Sequence, residues 1–237
     1  PVCREDMTKR GWAELDFLLV SGDAYVDHPS FGPAVIARVL ESCGYRVGIL
    51  PQPDWRTKDA FLAMGRPRLA VLVTAGNLDS MLNKFTASKK NRSDDSYSPG
   101  GKSGHRPDRA TIAYCSRVKE CWKDVPLVIG GVEASLRRFA HYDYWSDEVR
   151  RSVLFDSQAD ILVYGMGEKQ IREIADLLDR GVPAGNIRSV RGTMYRAPSL
   201  PEKIRVMEVP SFEEAAADRV KFAEAFRLQY LEQDPFH

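Results

Sequence analysis

The stretch LDFLLVSGDAYVDHPSFGPAVIARVLESCGYRVGIL, residues 15–50, decides the fold. Leu15 to Val20 is an apolar run of strand length interrupted only by Asp16, the pattern of a strand covered by helices on both faces. Ile36, Val39, Leu40 and Cys43 keep the i, i+3, i+4, i+7 spacing of one helical face, and Gly44 ends it. Tyr45 to Leu50 is the next strand. Strand, helix and strand within about 35 residues form a βαβ unit, for which parallel pairing and a right-handed crossover are strongly favoured.

The same arrangement returns in VLVTAGNLDSM (71–81), LVIGGVEASLRR (127–138) and ILVYGMGEKQ (161–170). In each, an apolar strand stops at glycine, serine or threonine and a helix or polar loop begins. Strands over 69–74, 126–129 and 160–164 alternate with helices over 57–64 and 108–122 and one carrying Ile171, Ile174, Ala175 and Leu178 before Gly181. The expected fold is a doubly wound, flavodoxin-like α/β domain. Its mostly parallel sheet has about five strands in the order 2-1-3-4-5, with helices on both faces. REDMTKRG (4–11) reads as a short helix closed by Gly11, and RSVRGTMYR (188–196) as an edge strand. The α/β domain is expected over 1–200, followed by a helical extension over 201–237. In that extension Ser211 and Glu214 have capping-box spacing, and Phe222, Phe226 and Tyr230 form an aromatic stripe that calls for a partner surface.

Hydrophobic residues make up 43% and charged residues 28%, with a net charge of +1, so neither nucleic acid nor a membrane surface is an expected partner. No run approaches the roughly 20 apolar residues of a membrane span and no secretory pattern opens the chain, so a cytoplasmic location is expected. The chain starts at Pro1, as an excised or processed piece of something longer would. Cys3, Cys43, Cys115 and Cys121 contain no CxxC or CxxxCxxC spacing, and Cys43 is expected to be a buried free thiol. No metal ligands and no catalytic residues are assigned.

Strand-end junctions of a parallel sheet share its carboxyl edge, where cofactors and substrates bind. The candidate ligand-binding residues are therefore Ser21, Gly22, Asp23, Asp27 and His28 at the first junction, and Thr74, Gly76 and Asn77 at the third. Gly130, Gly131 and Glu133, and Gly165, Gly167 and Glu168, complete the set at the fourth and fifth. Glycines admit a flat or phosphorylated ligand close to the backbone, whereas the aspartates and glutamates at these places also suit turns and helix starts without any ligand. There is no GxGxxG or P-loop fingerprint, which argues against a free-standing nucleotide-dependent enzyme. Residues 76–107 are polar and locally basic, a loop long enough to be either functional or disordered. Arg137, Arg138, His141, Tyr142, Asp143, Tyr144 and Trp145 form the densest cluster of functional side chains, read as Arg–carboxylate pairing with aromatic packing or as a wall for a ligand.

Several long stretches carry a resemblance: GDAYVDHPSFGPAVIARVLESCGYRVGILPQPDW (22–55), TAGNLDSMLNKFTASKKNRSDDSYSPGG (74–101), RPDRATIAYC (106–115), IGGVEASLRRFAHYDYWSD (129–147) and ADILVYGMGEKQI (159–171). Through them the chain resembles the amino-terminal domain of YgiQ-type radical SAM proteins. The resemblance implies a cobalamin-binding-like fold ahead of a radical SAM barrel, whose CxxxCxxC holds a 4Fe-4S cluster that cleaves S-adenosylmethionine. Those cluster ligands lie outside this chain, which lacks the motif. The barrel of the parent protein is the implied partner and cobalamin a candidate ligand. Asp27, His28 and Gly32 depart from the DxHxxG order of histidine-ligated cobalamin domains, so His28 is not assigned to cobalt. Two functions are expected from different classes: the accessory domain of a radical SAM enzyme of unknown substrate, or a non-catalytic module that binds a small molecule or docks a protein.

Overall fold

The computed structural model describes residues 1–24, 31–200 and 205–233. The chain opens with α1 (Arg4–Lys9), β1 (Phe17–Ser21), α2 (Gly32–Ser42), β2 (Val47–Pro51), α3 (Asp59–Leu62), β3 (Ala70–Thr74) and α4 (Ser80–Lys84). It continues through α5 (Ala110–Cys121), β4 (Leu127–Gly130), α6 (Gly131–Leu136), β5 (His141–Asp143), β6 (Glu148–Arg150) and α7 (Val153–Asp156). β7 (Ile161–Val163), α8 (Glu168–Asp179), β8 (Thr193–Tyr195), α9 (Phe212–Ala217) and α10 (Arg219–Glu232) follow.

The main sheet runs β2-β1-β3-β4-β7-β8. Its first five strands pair in parallel in the expected order, and β8 closes the edge antiparallel to β7, making six strands where about five were expected. Because side chains alternate along a strand, each strand feeds two cores. Leu18, Val20, Val71, Val73, Leu127, Ile129 and Leu162 face one layer with Phe61 and Tyr114 of α3 and α5. Phe17, Leu19, Ala70, Leu72, Val128, Ile161 and Val163 face the other, under Leu40 of α2 and Ile174 of α8. This is why the strands read as continuous apolar runs rather than as alternating ones.

At the amino edge, Asp16 ties three strands together. Its carboxylate accepts from the Arg46 backbone (2.8 Å) and Arg46 Nε (3.0 Å), and from Arg68 Nε (2.8 Å). Burial pushes this carboxyl up, but the bonds from Arg46 and Arg68 outweigh burial and bring it from the usual 3.8 down to about 2. A carboxyl depressed in the folded state stabilises the protein above its unfolded pKa, and that stabilisation is lost as pH falls from 3.8 toward about 2. Asp16→Asn is therefore expected to lose about 2 kcal/mol at pH 7 and much less near pH 2, in urea melts at the two values. Equal losses at both would remove the titration from the account.

One expectation is corrected and two open segments take a definite form. Cys43 is exposed rather than buried, because it follows the end of α2 as its capping residue while Leu40 takes the place in the core. Residues 141–150, for which no strand was assigned, form the β5–β6 hairpin. Residues 76–107, left open as functional or disordered, do not form an unstructured loop. They contain α4, a helical turn at Pro99–Gly101 and the antiparallel bridges Phe85–Asn91 and Asp94–Lys102, and they return a buried Arg106 to the sheet edge.

The capping box at Ser211 and Glu214 forms as its spacing predicts. α10 buries Ala225, while Phe226 and Tyr230 stack on each other, centroids 6.5 Å apart, with both rings exposed. Among the described residues, no helix is long and apolar enough to cross a membrane.

Candidate functional site

β1 and β3 end side by side, and the chain leaves both through tight turns. Gly22 donates its N–H to the Thr74 carbonyl (3.0 Å), and the Asp23 N–H donates to Ser21 Oγ (3.1 Å). These contacts turn the Asp23 carboxylate inward, where it is fully buried. It accepts from Arg106 Nη2 (2.8 Å) and from the Asn77 N–H (2.7 Å). Arg106 also donates to the Ala75 carbonyl and reaches Asp95 Oδ2 at 3.5 Å. Burial pushes the Asp23 carboxyl above its ordinary range, with the Arg106 charge opposing it. Gly76 sits against this carboxylate at φ +104, where a Cβ would lie 2.1 Å from Asp23 Oδ1. Ser21, Gly22 and Asp23 thus stand behind the edge as its support, while Asp27 and His28 lie outside the described residues.

In front of that support a groove of about 300 Å³ opens between α2 and α8. Leu19, Leu72, Val128 and Val163 form its apolar floor, with Ile36 and Ile171 on the helices. Thr74, Gly76, Asn77, Gly130, Gly131, Gly165, Gly167 and Glu168 line it where the strands end. Gly131 has φ +86, and a Cβ there would come within 2.5 Å of Thr74 Oγ1, so only glycine keeps this passage open. Asn77 Nδ2 is buried and has no hydrogen-bond partner among the described residues. It is a donor available to a ligand in a groove otherwise short of polar atoms. A flat, largely apolar group with an acceptor at its rim fits these features.

Glu133 does not reach the groove. It is buried and accepts from the Ser80 N–H (2.7 Å) and the Thr111 N–H (3.0 Å), serving the amino ends of α4 and α5. The helix-start role weighed for it is correct in kind, but the helices it serves are not its own. Sequence reasoning missed the floor of the groove, because floor and core residues share one apolar pattern. It also missed Arg106, which had no signal beyond its charge in a basic segment.

The cluster at 137–145 is also built on pairing. Arg137 donates to Asp79 Oδ2 through Nε (2.9 Å) and Nη2 (2.7 Å), and Arg109 Nε donates to Asp143 (2.9 Å). Among the described residues, no group of three His, Cys, Asp or Glu could hold a metal ion. Cys115 is fully buried in the core, and that burial pushes its thiol far above its usual range.

A family model described as Radical SAM N-terminal matches residues 1–237. A UPF0313 protein of Clostridium perfringens is 56% identical over 236 residues, covering 99% of this chain and 36% of that protein. A UPF0313 protein of Clostridium botulinum is 55% identical over 234 residues, with the same coverage of 99% and 36%. The chain thus spans about a third of the length of these relatives. A solved structure of the radical S-adenosylmethionine methyltransferase TsrM from Kitasatospora setae, with cobalamin and a [4Fe-4S] cluster bound, has a TM-score of 0.47 and 22% identity over 77% of this chain and 29% of that one.

Proposed function

The chain belongs to the radical SAM N-terminal family, and on that premise we propose that it is the ligand-holding accessory domain of a radical SAM protein. In this reading the groove at the carboxyl edge seats a flat cofactor or substrate beside a reactive centre carried by residues beyond 1–237. Residues 1–200 form the holding domain and 201–237 a helical extension toward that centre. The observation that carries the reading is the glycine-gated groove with its unpartnered Asn77 donor. Cobalamin is the first candidate, since a flat ring in the apolar slot and an acceptor at Asn77 meet both requirements. The iron–sulfur cluster and S-adenosylmethionine supply radical chemistry when bound, and their ligands are assigned outside this chain, which has no CxxxCxxC.

Within the groove, Gly131 and Gly76 admit the ligand, Asn77 orients it and the apolar floor excludes water. Glu168, in the first turn of α8, closes the rim. Titration of the full-length gene product with hydroxocobalamin, followed by its visible spectrum, is expected to saturate. Gly131→Ala is expected to weaken that binding at least about tenfold by filling the passage, a loss of about 1.4 kcal/mol. A spectrum that never saturates removes cobalamin from the proposal. Anaerobic reconstitution with iron and sulfide tests the enzyme class separately, and failure to cleave S-adenosylmethionine would count against it. The second reading, a protein-docking module, is favoured by the exposed Phe226 and Tyr230 on α10.

A further inference from the structure

The cluster at 137–145 encloses a second cavity whose lining shares no residue with the groove. It measures about 430 Å³ and lies between α4 and the turn after it, the end of α6 and the β5–β6 hairpin. That size falls within the roughly 300–1,000 Å³ of small-molecule sites. We propose that this cavity binds a planar aromatic molecule bearing one carboxylate or phosphate.

The balance of donors and acceptors selects that class. Asp79 and Asp143 line the cavity, yet their oxygens are already engaged. Asp79 Oδ1 accepts from the Met81 and Leu82 N–H groups and Oδ2 from Arg137. Asp143 Oδ1 accepts from the Trp145 and Ser146 N–H groups and Oδ2 from Arg109. Tyr144 donates its hydroxyl to the Ala87 carbonyl and Tyr142 to Asp147. A ligand that donates or carries positive charge therefore finds no free carboxylate. Two of the rings already carry a cation, since Lys89 sits 4.8 Å over Tyr144 and Lys84 sits 5.1 Å over Phe85.

What remains is aromatic surface and donors. Trp145 lies with its centroid 5.2 Å from both Phe85 and Tyr144, tilted 35° to the first and edge-on at 79° to the second, so three rings adjoin along one wall. Arg92 lines the same cavity, donates only Nε, to the Leu82 carbonyl (3.2 Å), and makes no ion pair among the described residues. Its terminal nitrogens are left to meet an anion. Stacking on the wall holds the ring and Arg92 holds the acidic group.

The test uses the full-length gene product and four probes: adenosine monophosphate, adenosine, indole-3-acetate and indole. By calorimetry, at least one anion is expected to saturate at roughly millimolar concentration or below and to bind at least about tenfold more tightly than its neutral counterpart. The tighter anion tells phosphate from carboxylate. Arg92→Gln, at an exposed position where circular dichroism should be unchanged, is expected to bring the anion down to the level of its neutral counterpart. Tyr144→Ala is expected to weaken all the probes that bind. The proposal is overturned if anions and neutral rings bind alike, if Arg92→Gln binds as the wild type does, or if no anion saturates by about 10 mM. None of these outcomes bears on the groove.

Discussion

Arg106→Ala is expected to destabilise the fold by about 3–5 kcal/mol, because it leaves a buried carboxylate without its counter-charge. Asp23 is fully buried, and Arg106 Nη2 lies 2.8 Å from its Oδ1. The same guanidinium donates to the Ala75 carbonyl and stands beside Asp95, so one substitution strips a charge and a carbonyl of their partner. The Asn77 N–H bond to Asp23 remains but carries no charge. Urea melts of Arg106→Ala, Asp23→Asn and the double variant measure the effect. The double variant is expected to lose less than the sum of the single ones, since the second change removes the charge that the first left stranded. Strict additivity, or an Arg106→Ala midpoint equal to that of the wild type, would sink the account.

Gly22→Ala is expected to cost about 3 kcal/mol or more, through space alone. A Cβ at Gly22 would lie 2.0 Å from the Ala75 carbonyl oxygen and 2.7 Å from Arg106 Nη1. Neither neighbour can yield easily. The Gly22 N–H bond to Thr74 holds the two strand ends together, and the guanidinium is held by Asp23. Gly32→Ala is the control: a Cβ there meets nothing within 4 Å among the described residues, and its stability is expected to stay within about 0.5 kcal/mol of the wild type. If the two variants melt together, the crowding at the end of β1 is not a constraint.

The parallel order of the first five strands was legible because each apolar run ended in a small or polar residue before a helical face. The βαβ unit over 15–50 admits essentially one hand and one pairing. Element ends were less so. β1 was expected at 15–20 and lies at Phe17–Ser21, since apolar side chains continue into the turn at Leu15. The β5–β6 hairpin was hidden because HYD and EVR are too short to show a period.

The candidate site divides in the same way. Thr74, Gly76, Asn77, Gly130, Gly131, Gly165, Gly167 and Glu168 were found from their place after a strand, and the sheet brings all of them to one groove. Ser21, Gly22, Asp23 and Glu133 were found by the same rule but face inward. Position after a strand places a residue at the edge and does not say which way it turns.

By itself, the sequence determined the layers, the strand order and the edge where the groove lies, because these follow from local periodicity and from the handedness of the chain. Only the tertiary structure decided that Arg106, 83 residues after Asp23, neutralises it, that Glu133 serves two helices other than its own, and that a second cavity opens between α4, α6 and the β5–β6 hairpin. Those outcomes depend on which side chains meet across long separations, and a buried charge accepts whichever partner the fold brings to it.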